Sequence, residues 1–392
     1  MKIVFFSHPL FLGSQSMLRF ANMLSDGMKA RGHKVEIWRP EPYFLKLKVK
    51  GVKKWLGYLD QYLAFPLVVR RRLKQLSAEE EVLYVITDHA LGPYVPLINK
   101  MPHVIHCHDF LAQRSALGQI AENLTSYTGI KYQQYIRNGY SQGRNFISVS
   151  KRTKIDLEEF LEELPDISEV VYNGLDKSFK PLSKVSSRKE LQTKLGADLS
   201  MGYILHVGGN QWYKNRGGVV AIYDSWRKLS GKELPLLLVG EEPDGSLLKA
   251  ITNSAYAKDI FIYSGAGNDD VQIAYSGATV FIFPSLAEGF GWPIAEAMAS
   301  GTLVITTNEA PMTEVAGDAA FLIDRMPFEE VDKENWATKS AGVLETILNL
   351  SEEEFDQHQL LNKTNVARFD LEKALDEIEE IYIQVLNQNT SS

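Results

Sequence analysis

The sequence predicts an α/β protein of two doubly wound domains, and three observations carry that prediction. Short apolar runs alternate with segments of helical spacing along nearly the whole chain. A polar interval, Pro181 to Ser200, divides them into two series and reads as a linker. The length of 392 residues suits two domains of ~100–200 residues each. Domains of this kind bind ligand in the cleft across which they face each other.

Lys2–Ser7 is a continuous apolar run, as expected of a buried parallel strand. Gly13 punctuates the following loop, and Met17, Leu18, Phe20, Ala21 and Leu24 then recur at helical spacing. The turn Arg31-Gly32-His33 closes that helix before a second strand, Val35–Trp38. Val82–Ile86, Val104–Ile105, Phe146–Val149 and Val170–Tyr172 continue the first series. The second comprises Tyr203–Val207, Leu236–Val239, Ile260–Tyr263, Val280–Phe283 and Leu303–Ile305. The tail carries apolar residues at 371, 374, 375, 378, 381, 382 and 385, a helical pattern.

Composition excludes several classes. The only cysteine, Cys107, rules out an intrachain disulfide or a Cys-based zinc cage and points to a reducing compartment. A net charge of −7 is the wrong sign for a dedicated nucleic-acid binder. The first residues, MKIVFFSHPL, do not read as a signal peptide. The charge-free stretch Val271–Ala287 is short for a membrane span and is broken by Gly277 and Pro284. A cytoplasmic protein is expected.

No G-x-G-x-x-G, Walker A, H-E-x-x-H, G-x-S-x-G or D-x-D motif is present. His103, His106, His108 and Asp109 form one metal-like cluster, since alternate strand residues share a face. The remaining histidines offer no matching spacing, so no metal site is assigned.

Chemistry concentrates in two strand–loop–helix segments. Pro284–Met298 passes from a strand through Gly289 and Gly291 and enters a helix at Pro293, a favourable first-turn residue. Amides near Phe290 and Gly291 then favour an anion. Glu288 and Glu296 flank that anion site; beside a phosphate, carboxylates are suited to neutral hydroxyls such as those of a sugar or ribose. An acidic residue stabilising its own helix would account for Glu296 but not Glu288. The second segment, Tyr203–Arg216, runs through Gly208 and Gly209 to Lys214, a point charge for a diphosphate, although a single lysine is usually a solvated one. His108 and Asp109 end a strand of the first series.

These residues resemble family 4 of the retaining, nucleotide-sugar-dependent glycosyltransferases, whose fold is GT-B. Similar stretches run from Lys2 to about Tyr382: Arg31-Gly32-His33, His108-Asp109, Ser148–Lys151, Val171–Asp176, Val207–Asn215, Glu288–Gly301 and Glu314–Ala320. The resemblance implies an α/β GT-B protein of two Rossmann-like domains facing across a cleft. Residues 1–180 would bind acceptor, joined by a C-terminal helix at 370–392, and residues 181–369 would bind donor. It implies that Glu296 holds the donor ribose, and that Glu288 with the amides of Gly289, Phe290 and Gly291 meets the sugar and diphosphate. Lys214 would neutralise the leaving diphosphate, and His108 would lie near the transferred sugar. Tyr263, Ser264 and Gly265 would meet the base, and Gly13 the diphosphate or acceptor. Relatives carry an Arg where Gly209 stands, leaving Asn210 or Arg216 to substitute, or Lys214 to carry the charge alone.

The reaction implied is hexose transfer to a hydroxyl acceptor in polysaccharide or glycolipid synthesis. Anomeric configuration would be retained, with no metal and no cofactor, and UDP-glucose is the expected donor. Other readings are an epimerase or phosphorylase on the same fold, or a non-catalytic nucleotide-sugar-binding subunit. A pyridoxal absorbance band would reveal the phosphorylase; donor binding without transfer would reveal the subunit. Finally, Lys46–Lys74 holds nine basic residues against one acid, Asp60. Between the basic ends, Trp55, Leu56, Tyr58, Leu59, Tyr62, Leu63 and Phe65 are spaced as an amphipathic helix. That pattern fits peripheral contact with an anionic membrane carrying a lipid-linked sugar acceptor, and equally an ordinary core-facing helix.

Overall fold

The computed structural model describes residues 1–13, 15–47, 51–76 and 81–390; Lys48 and Lys50 of the basic stretch lie outside them. The chain divides into two compact units. The first comprises Met1–Ile120, Leu124–Tyr172 and Glu372–Ser392; the second comprises Ala121–Asn123 and Asn173–Leu371.

Unit 1 holds a parallel sheet of β1 (Lys2–Phe6), β2 (Lys34–Trp38), β3 (Val82–Ile86), β4 (His103–Cys107), β5 (Asn145–Ser148) and β6 (Ile167–Val170) in the order 2-1-3-4-5-6. The apolar runs become strands because both faces are covered: Ile3 to Phe6 and Leu83 to Ile86 are almost completely buried. The helix Leu371–Thr390 belongs to this unit from Glu372 onward. Arg31 bonds Glu372 and Asp376, His33 bonds Glu379 at 2.6 Å, and His106 bonds the Tyr382 hydroxyl at 2.7 Å. Gly27 has no side chain where Leu375 packs, as an added Cβ would lie 2.6 Å from its Cδ1.

Unit 2 repeats the plan with β7 (Ile204–Gly208), β8 (Leu236–Gly240), β9 (Ile260–Ser264), β10 (Val280–Phe283), β11 (Leu303–Thr307) and β12 (Phe321–Ile323), ordered 12-11-10-7-8-9. The chain winds outward through β8 and β9, then returns on the other side of β7. The crossover therefore lies between β7 and β10, the position where doubly wound sheets receive ligands. In unit 1 it lies between β1 and β3.

Three sequence expectations require correction. The interval Pro181–Ser200 contains a helix, Lys184–Leu195, which packs on the helix Asn268–Gly277. Ser183 caps it by accepting from the Ser186 N–H, Gly196 ends it at φ 65°, and Leu191 is fully buried. Unit 2 accordingly starts at Asn173: the Leu175 N–H donates to the Phe369 carbonyl, anchoring the stretch before 181. The sixth strand lies at Ile167–Val170, in register with Asn145–Ser148, three residues before the expected run.

Candidate functional site

The loops that leave β7 and β10 meet in unit 2. After β7, a single 3-10 turn (Trp212–Lys214) leads to Asn215, at φ 53° the only non-glycine residue of positive φ among the described residues. Asn215 caps the helix Arg216–Ser230, accepting from the Gly218 N–H, and its amide donates to the Pro284 carbonyl at 3.0 Å. The Leu286 N–H donates to the Tyr213 carbonyl at 2.8 Å. These two bonds stitch the loops together.

They set Lys214 Nζ 2.7 Å from Glu288 Oε1. The pair is 14% and 8% exposed, and Glu288 also accepts from Ser285 Oγ at 2.8 Å. Lys214 further lies 4.9 Å from the centre of the Phe283 ring. A largely buried ion pair of this kind is a poor stability device, because desolvation offsets the attraction. It does hold a cation and a carboxylate ready where a charged ligand could exchange for the protein partner. Arg325 supports the loop, donating to the Leu286 carbonyl and pairing with Glu122 at 2.7 Å.

Gly291 at φ 101° is the cap of the helix Trp292–Ala299, whose first turn includes Pro293. Glu296 is the fifth residue of that helix, beyond the first turn, and 6% exposed. An N-terminal charge on its own helix therefore does not explain it. The Tyr275 hydroxyl lies 3.4 Å from its Oε2. Phe290 is buried against Trp292 and Phe369, so its side chain packs and only its backbone faces the question of a ligand.

Asn210 and Arg216 both bond toward the end of β8. The Asn210 N–H donates to the Glu241 carboxylate at 3.0 Å, and its amide donates to the Glu242 carbonyl at 2.6 Å. Arg216, buried, donates from Nη1 to Asn210 Oδ1 at 2.7 Å and to the Glu241 carbonyl, while its Nε and Nη2 have no hydrogen-bond partner among the described residues. Both side chains brace the Gly208–Gly209 loop against the end of β8, so Lys214 is the cation of this loop that meets Glu288. The strand ends sit close: a Cβ on Gly240 would lie 2.1 Å from the Gly208 carbonyl oxygen. Along the same edge, Tyr263 and Ser264 end β9; the Ser264 hydroxyl is buried without a hydrogen-bond partner, and so is His206 Nε2. Burial pushes the His206 imidazole down to about 3, so it is neutral.

His108 and Gly13 belong to unit 1. His108 Nε2 bonds the Thr87 carbonyl at 2.9 Å, its ring meets Phe20 edge-on, and burial lowers its pKa. The Gly13 N–H donates to the Leu10 carbonyl, closing a short turn at φ 72°. The metal-like spacing of the first series dissolves. His103 bonds the Met101 carbonyl, His106 bonds Tyr382 and His108 bonds Thr87, and among the described residues no group of three or more His, Cys, Asp or Glu side chains could hold a metal ion. Sequence reasoning missed Asp88, which binds His8 at 2.8 Å beside the crossover between β1 and β3. Burial alone would raise the Asp88 carboxyl, but the bonds from His8 and His89 hold it well below the carboxylate range.

Residues 187–348 match the family described as "Glycosyl transferases group 1", and residues 17–179 match "Glycosyltransferase Family 4". The chain belongs to family 4 of the glycosyltransferases. Curated relatives agree: O-antigen chain mannosyltransferase B of Escherichia coli is 31% identical over 31% of this chain and 33% of its own. MMP alpha-(1->4)-mannosyltransferase of Mycolicibacterium hassiacum is 33% identical over 22% of this chain and 21% of its own. O-antigen chain mannosyltransferase RfbU of Salmonella typhimurium is 26% identical over 45% and 43%. These matches span well under half the length of each relative. Among solved structures, Anabaena Alr3699/HepE in complex with UDP superposes with a TM-score of 0.70 at 16% identity, over 97% of this chain and 99% of its own. Sucrose-phosphate synthase from Thermosynechococcus elongatus gives 0.72 at 16% identity, over 99% and 100%. The fold of this family member is GT-B.

Proposed function

We propose that the chain transfers a hexose from a nucleoside-diphosphate sugar to a hydroxyl acceptor in polysaccharide or glycolipid synthesis. The observation that carries this reading is the Lys214–Glu288 pair at 2.7 Å, on the loops either side of the crossover in unit 2. In this reading the diphosphate takes Lys214 and the amides of Gly289, Phe290 and Gly291. Released from Lys214, Glu288 accepts hydrogen bonds from the sugar hydroxyls. Glu296 takes the ribose hydroxyls. Tyr263 and the Ser264 hydroxyl, which has no hydrogen-bond partner among the described residues, are read as holding the base. Gly209 and Asn210 shape the loop.

As the C1–O bond to the diphosphate breaks, negative charge grows on the leaving oxygen, and positioned donors stabilise it. The acceptor oxygen bonds to C1 on the face the diphosphate leaves, so configuration is retained, and its proton passes to the departing phosphate. No D-x-D sequence exists to bridge a metal, and transfer that survives a chelator is the expected behaviour. The curated relatives are named mannosyltransferases, which favours a mannosyl donor over the glucosyl donor expected from the sequence.

Glu296→Ala tests the donor assignment. Removing a charged acceptor costs about 1.5–3 kcal/mol, so free nucleoside diphosphate should bind roughly 10- to 150-fold more weakly by calorimetry. Unchanged affinity would remove Glu296 from the nucleotide site.

A further inference from the structure

The exposed side of the helix in the basic stretch points to a partner that the transfer reaction does not require. Lys53–Leu59, Asp60–Ala64 and Phe65–Gln75 run on as one helix with a π-turn in its middle. The apolar residues that the sequence groups together divide between its two sides. Phe65 and Val69 are buried in the unit 1 core, and Tyr62 packs against Tyr94 and Tyr132. Trp55, Leu59, Leu63 and Leu67, each four residues from the next, are 66%, 40%, 52% and 57% exposed. Residues at this spacing share one side of a helix, so they form an apolar stripe facing solvent. Two 3-10 turns pack near Gly57 through Phe11 and Leu45, and they carry the exposed Leu10 and Leu47.

Among the described residues of Lys46–Lys74, the exposed charges have one sign. Lys53 and Lys54 stand at one end of the helix, Arg70, Arg71 and Lys74 at the other, and Lys46 on the neighbouring turn; all are exposed. None of them is ion-paired among the described residues. The acid of this stretch, Asp60, is fully buried and accepts from the backbone N–H groups of Tyr43, Phe44 and Leu45. It is spent on holding the turn, which leaves only cations among the exposed described charges of Lys46–Lys74.

We propose that this face docks on an anionic lipid bilayer, with Trp55, Leu59, Leu63 and Leu67 entering the interface and the cations at both ends meeting headgroups. An apolar stripe with basic flanks is the arrangement that lies in the plane of such an interface. A second copy of the chain fits less well, because a symmetric contact would bring these cations face to face. The proposal concerns unit 1 alone and does not depend on the donor assignment in unit 2.

The test is sedimentation of the full chain with vesicles of phosphatidylcholine alone or with phosphatidylglycerol added. The chain should pellet with the anionic vesicles and stay in solution with the neutral ones, and added salt should release it. Reversing charge in K53E/K54E/R70E/R71E should lower partitioning at least tenfold, since each cation contributes about fivefold near such a surface. L59S/L63S should lower it at least tenfold at low salt, with thermal midpoint and nucleotide affinity unchanged, which separates docking from folding and from the donor site. Failure of the wild type to pellet, equal pelleting with both vesicles, or full binding by either variant would overturn the proposal. So would a homodimer that L59S/L63S dissolves in the absence of any vesicle binding.

Discussion

Glu288→Gln is expected to lower kcat by about two to three orders of magnitude, the scale seen when one positioned polar group is lost from an active site. Affinity for free nucleoside diphosphate should stay within about threefold, because the partner proposed for Glu288 is the sugar. Glutamine keeps the volume and can still accept from Ser285, so the loop that Asn215 and Tyr213 stitch to the β7 turn is preserved. Steady-state kinetics beside calorimetry separate the two quantities. Unchanged turnover would make the Lys214–Glu288 pair a purely structural bridge.

Lys214→Ala should lower kcat about 100-fold and raise donor KM by less, because leaving-group charge grows toward the transition state. A rise in KM alone would make Lys214 a ground-state anchor. The substitution leaves the Glu288 carboxylate, 8% exposed, without its cation, so the thermal midpoint must be followed alongside. The two residues touch, and the double variant should therefore lose less than the product of the single losses.

The strands were legible where both sheet faces are covered. Ile3–Phe6 and Val82–Ile86 read as apolar runs because every one of these residues is buried in the centre of such a sheet. Two edge strands lack that signal: Ile167–Val170 has Ser168 half-buried and Glu169 exposed, and the three residues Phe321–Ile323 are too few to register. The helix Lys184–Leu195 was masked by polar residues on nearly every side, although Ser183 and Gly196 are its start and stop signals.

In the site, Lys214, Glu288 and Glu296 were each legible from a glycine loop or a helix start. Their pairing was not, since residues 74 positions apart meet only because β10 lies beside β7. Asn215 carried a local signal, an Asn suited to positive φ directly before a helix. Nothing local announces that Asn210 and Arg216 bond toward β8, a contact that strand order alone creates.

The most direct test of donor binding is thermal unfolding of the full chain with a panel of nucleoside-diphosphate sugars, including GDP-mannose and UDP-glucose. A ligand at 100 times its Kd stabilises the folded state by about 2.7 kcal/mol. The account predicts that at least one nucleoside-diphosphate sugar raises the midpoint in the wild type and that Glu296→Ala abolishes most of the rise. A panel in which no nucleotide sugar or free nucleoside diphosphate moves the midpoint would contradict it.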